Sequence, residues 1–169
     1  EYYCIMFVSG QEEKFKAKAN ELLARNAHQH SAVQFFTKSM KTSKGEPYQE
    51  AVFPGYVFLK TDSLDVNTTK ENKKIAGFCK FLKSNTEITK LAGKDLQLVQ
   101  KLSLFGEHLS LSKLYFEEGR RIVVTEGPLQ GFEGCIIAVN KKRRRITVQL
   151  DLFEQVKKFL KYTNEYEWV

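Results

Sequence analysis

The sequence predicts an α+β protein in two parts, a ferredoxin-like split βαβ layer followed by a small SH3-like β-barrel. Three observations carry this. From residue 2 to 106 the segments read strand, helix, strand, strand, helix, strand, helix. Within them the stretch 52–59, Val-Phe-Pro-Gly-Tyr-Val-Phe-Leu, is apolar at every position except its Pro-Gly step, as in a strand covered on both faces. Beyond Glu117 the pattern changes to short strands with frequent glycines, about five in roughly 50 residues. The expected limits are a first domain at 1–106, a linker at 107–116 and a second domain at 117–169.

Taken in order, 2–8 is apolar at both parities and ends at Ser9-Gly10, which predicts a buried strand. Ser9 with Glu12 has the capping-box form, and Phe15, Ala19, Leu22 and Leu23 follow at helical spacing, so a helix is expected over 10–25. A second strand is expected at 32–37, then a turn-rich loop at 38–47 with Lys38, Lys41 and Lys44, which suggests a long hairpin tip before the next strand. In the stretch 52–59, Pro54-Gly55 predicts a kinked strand entry that turns Phe53 and Tyr56 sideways. Asp62 or Ser63 can cap a short helix to about Lys74 despite the poor helix formers Asn67, Thr68 and Thr69. A fourth strand is expected at 78–83, and Leu96, Leu98, Val99, Leu102 and Phe105 mark a third helix from about Lys94. The stretch 106–116 reads as a linker or an extra edge strand. The barrel strands are expected at 120–125, 135–140, 146–152, 156–160 and 166–169.

Right-handed crossovers put both crossover helices on one face of the first sheet. Its strands are nevertheless apolar on both parities, Tyr3, Ile5 and Phe7 against Cys4, Met6 and Val8 in the first of them. Unless the third helix or the second domain covers it, the remaining face is an open aromatic patch of the kind that docks a protein partner, at about 1.5–3 kcal/mol per buried ring.

The chain has 169 residues and a net charge of +7, which favours an anionic partner. No apolar run reaches membrane-spanning length, and the start lacks a signal-peptide pattern, so a cytoplasmic protein that does not engage membranes is expected. Three cysteines, Cys4, Cys79 and Cys135, sit among apolar neighbours and are expected as buried free thiols. They and the three histidines lack metal-ligand spacing, so no metal is expected, nor any other cofactor. Gly127-Pro128 with Gly131 is a turn without a phosphate-loop lysine, and no nucleophile-base pattern or carboxylate pair is discernible, so no enzyme is expected.

The chain resembles the NusG family of transcription elongation factors. The first half carries Tyr2-Tyr3, Ser9-Gly10, Phe53-Pro54-Gly55-Tyr56-Val57 and Gly77-Phe78 at the places of that family's N-terminal (NGN) domain. The second carries Gly119, Val123, Gly127-Pro128, Gly131, Phe132 and Gly134 at those of a KOW domain. The resemblance implies a monomeric bacterial protein whose Tyr2, Phe53, Tyr56 and Phe78 bind the clamp helices of the RNA polymerase largest subunit and so suppress pausing and termination. Asn67-Thr68-Thr69 is similar to the run by which the RfaH-type branch touches the gate loop of the second-largest subunit, and the basic balance suits a LoaP-type antiterminator that engages an RNA hairpin. A KOW loop with Leu129 and Phe132 would take a second partner, Rho or a small-subunit ribosomal protein. The contrasting class is a KOW-bearing ribosomal or ribosome-assembly protein, which needs no aromatic sheet face.

Besides the loop lysines Lys38, Lys41 and Lys44, which could hold RNA or upstream DNA, two further cationic groups are candidates for nucleic acid. One is Lys70, Lys73 and Lys74 with Lys80 and Lys83 nearby; the other is the tip Lys141, Lys142, Arg143, Arg144 and Arg145, where phosphate or solvent must offset repulsion. Finally, Leu152, Phe153, Val156, Phe159 and Leu160 also fit helical spacing, so an alternative helical form of that segment is weighed against the barrel that the glycines and β-branched residues favour.

Overall fold

The computed structural model describes residues 1–26, 30–82, 84–118, 121–150 and 160–168, which cluster into two compact units. The first joins Glu1–Phe35 to Phe53–Gln97, and the second joins Phe36–Val52 to Leu98–Val169. The expected limit at 106 therefore differs from this clustering, because 36–52 pairs its backbone within the second unit.

In the first unit, β1 (Tyr2–Phe7), β2 (Ala32–Gln34), β5 (Tyr56–Lys60) and β6 (Phe78–Phe81) form one antiparallel sheet in the order β2-β5-β1-β6. That is the ferredoxin-like order expected from the sequence. Helix α1 (Glu12–Arg25) buries Phe15, Ala19 and Leu23, and α2 (Val66–Lys73) buries Thr68 and Asn72. Both cover the face bearing Phe7, whose ring stacks on Phe15 at 5.3 Å. The caps differ from expectation. Gln11, not Ser9, precedes α1 and makes no side-chain cap bond, whereas Asp65, not Asp62 or Ser63, caps α2 by accepting from the Thr68 N–H at 2.6 Å. The Pro54-Gly55 kink is a full turn: the Tyr56 N–H reaches the Phe53 carbonyl, and Gly55 at φ 82° lets its carbonyl accept from the Phe7 N–H. The strand expected at 32–37 breaks at the buried pair Phe35-Phe36 and continues in the other unit.

There the expected lysine loop is a hairpin, β3 (Thr37–Lys41) with β4 (Pro47–Ala51), in register from Thr37↔Ala51 to Lys41↔Pro47. Helix α3 (Gly93–Leu104) begins in the first unit and ends in this one. The stretch left open between linker and strand supplies β7 (His108–Leu109), parallel to β3, and β8 (Ser112–Phe116). With β9 (Ile122–Glu126), β10 (Ile136–Asn140), β11 (Arg145–Leu150) and β12 (Leu160–Trp168), β8 forms a five-stranded sheet ordered β10-β11-β12-β8-β9. The small all-β unit is thus present, but one of its strands precedes residue 117; β12 contains the described part of the strand expected at 166–169, and 156–159 of the strand expected at 156–160 lies outside the described residues. Leu114, Val124, Leu129, Ile146, Val148 and Tyr166 form its core. Gly127 makes the tight turn into Pro128. Its φ is 103°, and a Cβ there would stand 2.7 Å from the Ser112 Cα. The segment weighed for a helical form, 152–159, and the motif residue Gly119 lie outside the described residues.

Candidate functional site

Directly paired residues share a sheet face, so register divides the aromatic cluster. Ile5, Phe7, Val57, Leu59 and Phe81 share the helix-covered side. Tyr2, Cys4 and Met6 of β1 share the other with Lys60, Phe58 and Tyr56 of β5 and Lys80 of β6. Phe53 joins this second side from the turn, packing edge-on to Phe58 at 5.6 Å. Phe78 does not: it pairs with Phe7 across a bulge, and its ring lies 5.5 Å from Phe81. Met6 and Lys80, which parity places between the tyrosines, belong to the face although the sequence reading did not single them out.

The expectation of an open patch is overturned. Tyr2, Phe53 and Tyr56 are 7%, 1% and 6% exposed, while Phe78, Met6 and Lys80 are half-buried. Within the first unit, cover comes from α3. The start of α3 stands near enough that, after burial itself, the charge of Asp95 helps to push the Cys4 thiol well above its usual value. Cys4 alone fits the expected buried thiol, since Cys79 and Cys135 are free but exposed.

On α2, Asn67 is exposed, but Thr68 is 1% exposed and faces inward, where its carbonyl accepts from the Asn72 side chain. The Thr69 hydroxyl is turned back onto the Asp65 carbonyl. Of the run 67–69, then, only Asn67 projects freely to solvent. Lys70, Lys73 and Lys74 are exposed, and Lys74 shares a groove between α1 and α2 with Lys14 and Lys18. Lys80 is not in that cluster, because it lies on the opposite face of the sheet, and Lys83 lies outside the described residues.

In the second unit Leu129 is fully buried, with its N–H held by the Ser112 hydroxyl at 3.0 Å, so it cannot serve as an exposed loop contact. Phe132 is half-buried under the Lys101 ammonium, 4.9 Å from its ring. The cationic tip is the β10–β11 turn, and the structure sets it against the tip of the β3–β4 hairpin: the Arg145 guanidinium donates to the Lys41 carbonyl at 2.6 Å. Between them lies a cleft of about 1100 Å³ lined by Lys41, Tyr48, Lys142, Arg143, Arg144 and Arg145 among others. Lys141 is not part of it and sits over the Phe116 ring at 4.7 Å. Lys38 is also unavailable. It is buried and ion-paired to Glu50 at 3.3 Å; burial lowers its pKa, against the opposing pull of Glu50. The sequence signal for this cleft was the charge run 141–145, but nothing in the sequence placed Tyr48 or Lys41 opposite it. Among the described residues no cluster of metal-ligating side chains occurs, and no helix is long and apolar enough to cross a membrane.

A split βαβ unit, its covering helices on one face and aromatic residues on the other, followed by a small all-β unit, defines the class. The family model described as "Transcription termination factor nusG" matches residues 1–100, and the chain belongs to the NusG family. The chain is 26% identical over 161 residues to the "Transcription termination/antitermination protein NusG" of Helicobacter pylori (strain ATCC 700392 / 26695), covering 90% of this chain and 89% of that one. It is 24% identical over 165 residues to the protein of that name from Thermus thermophilus, at 90% of each. The solved structure "Domain interaction in Thermotoga maritima NusG" has the same fold, with a TM-score of 0.60 at 17% identity over 98% of this chain and 93% of that one.

Proposed function

We propose that this protein is a non-enzymatic bacterial transcription factor that docks on RNA polymerase through the first unit, opposes pausing and termination, and contacts nucleic acid with its cationic surfaces. The observation that carries the reading is the match along 90% of the chain to relatives named for termination and antitermination. The docking face is the one bearing Tyr2, Phe53 and Tyr56, and the clamp helices of the largest subunit are its partner. Aromatic composition supports this, and burial adds a requirement: docking must uncover rings that are under a tenth exposed in the free chain. Asn67, with Thr69 and Lys70 beside it, is the proposed contact to the gate loop, Phe78 supports the face from behind, and Phe132 is what remains of the proposed KOW partner loop for Rho or a ribosomal protein. An RNA hairpin or upstream DNA is the proposed ligand of the exposed Lys70, Lys73 and Lys74.

Phe53→Ala is a poor test, because emptying a fully buried ring site costs about 3–5 kcal/mol of stability. Met6→Glu is better, since Met6 lies on the face but is only half-buried. The expected result is at least tenfold weaker capture of the whole chain by core RNA polymerase, with an unchanged melting curve and less readthrough at a terminator. Full capture by the folded variant would overturn the assignment of this face.

A further inference from the structure

We propose that the cleft between the β3–β4 tip and the β10–β11 turn is a binding site for single-stranded nucleic acid, with phosphates on Lys41, Lys142, Arg143 and Arg144 and a base on the ring of Tyr48. The inference rests on the nucleic-acid part of the reading above, and adds a place and the form of the ligand. Charge is the first observation. Among the described residues the lining includes five cations and no aspartate or glutamate, so an entering anion meets a wall of positive charge. Size is the second. At about 1100 Å³ the cleft exceeds the usual range of small-molecule sites, so a run of nucleotides suits it better than one small anion.

The ring decides between strand and duplex. Tyr48 is 40% exposed on the wall facing the cationic turn. Cations hold the phosphates of any nucleic acid, but an aromatic plane serves only a base that has left its stack. A duplex would leave Tyr48 idle. A solvated turn, the bland alternative for 141–145, would need neither a ring nor a second wall, yet the Arg145 bond to the Lys41 carbonyl fixes the two walls together.

Backbone strain points the same way. Arg144 is the one non-glycine residue at positive φ among the described residues, at 51°, held there by its N–H to the Lys141 carbonyl and its carbonyl to the Tyr166 N–H. Glycine would make this turn at less cost, so what arginine adds is its charge. That makes Arg144→Gly a clean variant, since it keeps the turn and removes one cation. Arg145 is unsuitable because it braces the cleft. Lys141, committed to Phe116, is the internal control.

The test is fluorescence anisotropy of the full chain with labelled oligo-U, oligo-dT and an RNA duplex, each about 12 units long, near 0.1 M salt. Single strands should bind more tightly than the duplex. Arg144→Gly should weaken single-strand binding about fivefold and lower the salt slope by about one. Tyr48→Ala should weaken single-strand binding at least fivefold with the slope unchanged, and Lys141→Ala should stay within about twofold. Preference for oligo-U assigns RNA as the ligand and preference for oligo-dT assigns DNA, and either supports the site. Duplex binding equal to single-strand binding, an inert Tyr48→Ala, or a Lys141→Ala loss as large as that of Arg144→Gly would overturn it. A chain that captures polymerase yet ignores every oligonucleotide refutes this inference alone; one that does neither takes the proposed function down with it.

Discussion

Cys4 shows how one side chain reports on the sheet. Its thiol is fully buried between strands, and burial, with Asp95 adding to it, raises its pKa well above the free value of 9.0. A raised folded value means the fold prefers the neutral thiol. The stability this gives is complete below about pH 9 and is lost as pH climbs past it. Between about pH 8 and 9.5, unfolding free energy from urea melts should fall by on the order of 1 kcal/mol on this account, and Cys4→Ala should flatten the fall. Buried Tyr3, raised by burial and by its bond to Glu1, acts in the same direction but from 10.0 upward, while buried Lys38, lowered by its burial, acts in the opposite direction, so the difference between the wild-type chain and Cys4→Ala is what isolates the thiol. At neutral pH a thiol reagent should modify Cys79 and Cys135 in the folded chain and reach Cys4 only on unfolding. Three cysteines among apolar neighbours all read as core in sequence. Only register and bulge decided that Cys79 projects outward.

Among elements, α2 was the one whose existence rested least on its own residues. Val66–Lys73 is polar, includes Asn67, Thr68 and Thr69, and has no acidic residue in its first turn. It is held by the Asp65 cap, by buried Thr68 and Asn72, and by the Asn26 side chain of the α1 terminus, which donates to Glu71. Asp65→Ala should therefore cost about 1 kcal/mol in urea unfolding and reduce protection of the first-turn amides, whereas Asn67→Ala, on the exposed side, should cost little. The sequence showed that a helix belonged here, between two buried strands, but misplaced its cap. Asp62, Ser63 and Asp65 are all competent cap residues, and only the path of the chain out of β5 chooses among them. The lysine loop was legible as a long hairpin tip, but that β3 and β4 are strands of their own was not: 38–47 has turn residues and lysines but no apolar alternation, and β3 gains its place by pairing with β4 and β7.

For the whole molecule, the pairing scheme ranks the strands. β1 and β5 are interior to their sheet, and nearly every residue of each is buried, while β2 and β6 are edges. In native-state hydrogen exchange the β1 and β5 amides should be the slowest of the first unit, with those of β6 opening earlier; equal protection across the four strands would contradict this layout. The same ranking explains why 52–59 was the most informative stretch of sequence. A central strand covered on both sides must be apolar at both parities, and that pattern survives in one dimension.

What the sequence alone determined is the split βαβ layer with its order of strands and helices, the small all-β unit after it, and the family. These follow from local rules: periodicity, caps, turns and glycine positions. The tertiary structure decided exposure. It buried Tyr2, Phe53, Tyr56, Thr68 and Leu129, which the sequence offered as contacts, turned Lys141 onto Phe116, and set Tyr48 and Lys41 against a cationic turn about 100 residues away in the chain. Composition tells which side chains could bind; whether water or the chain itself covers them depends on long-range packing, which no local pattern encodes.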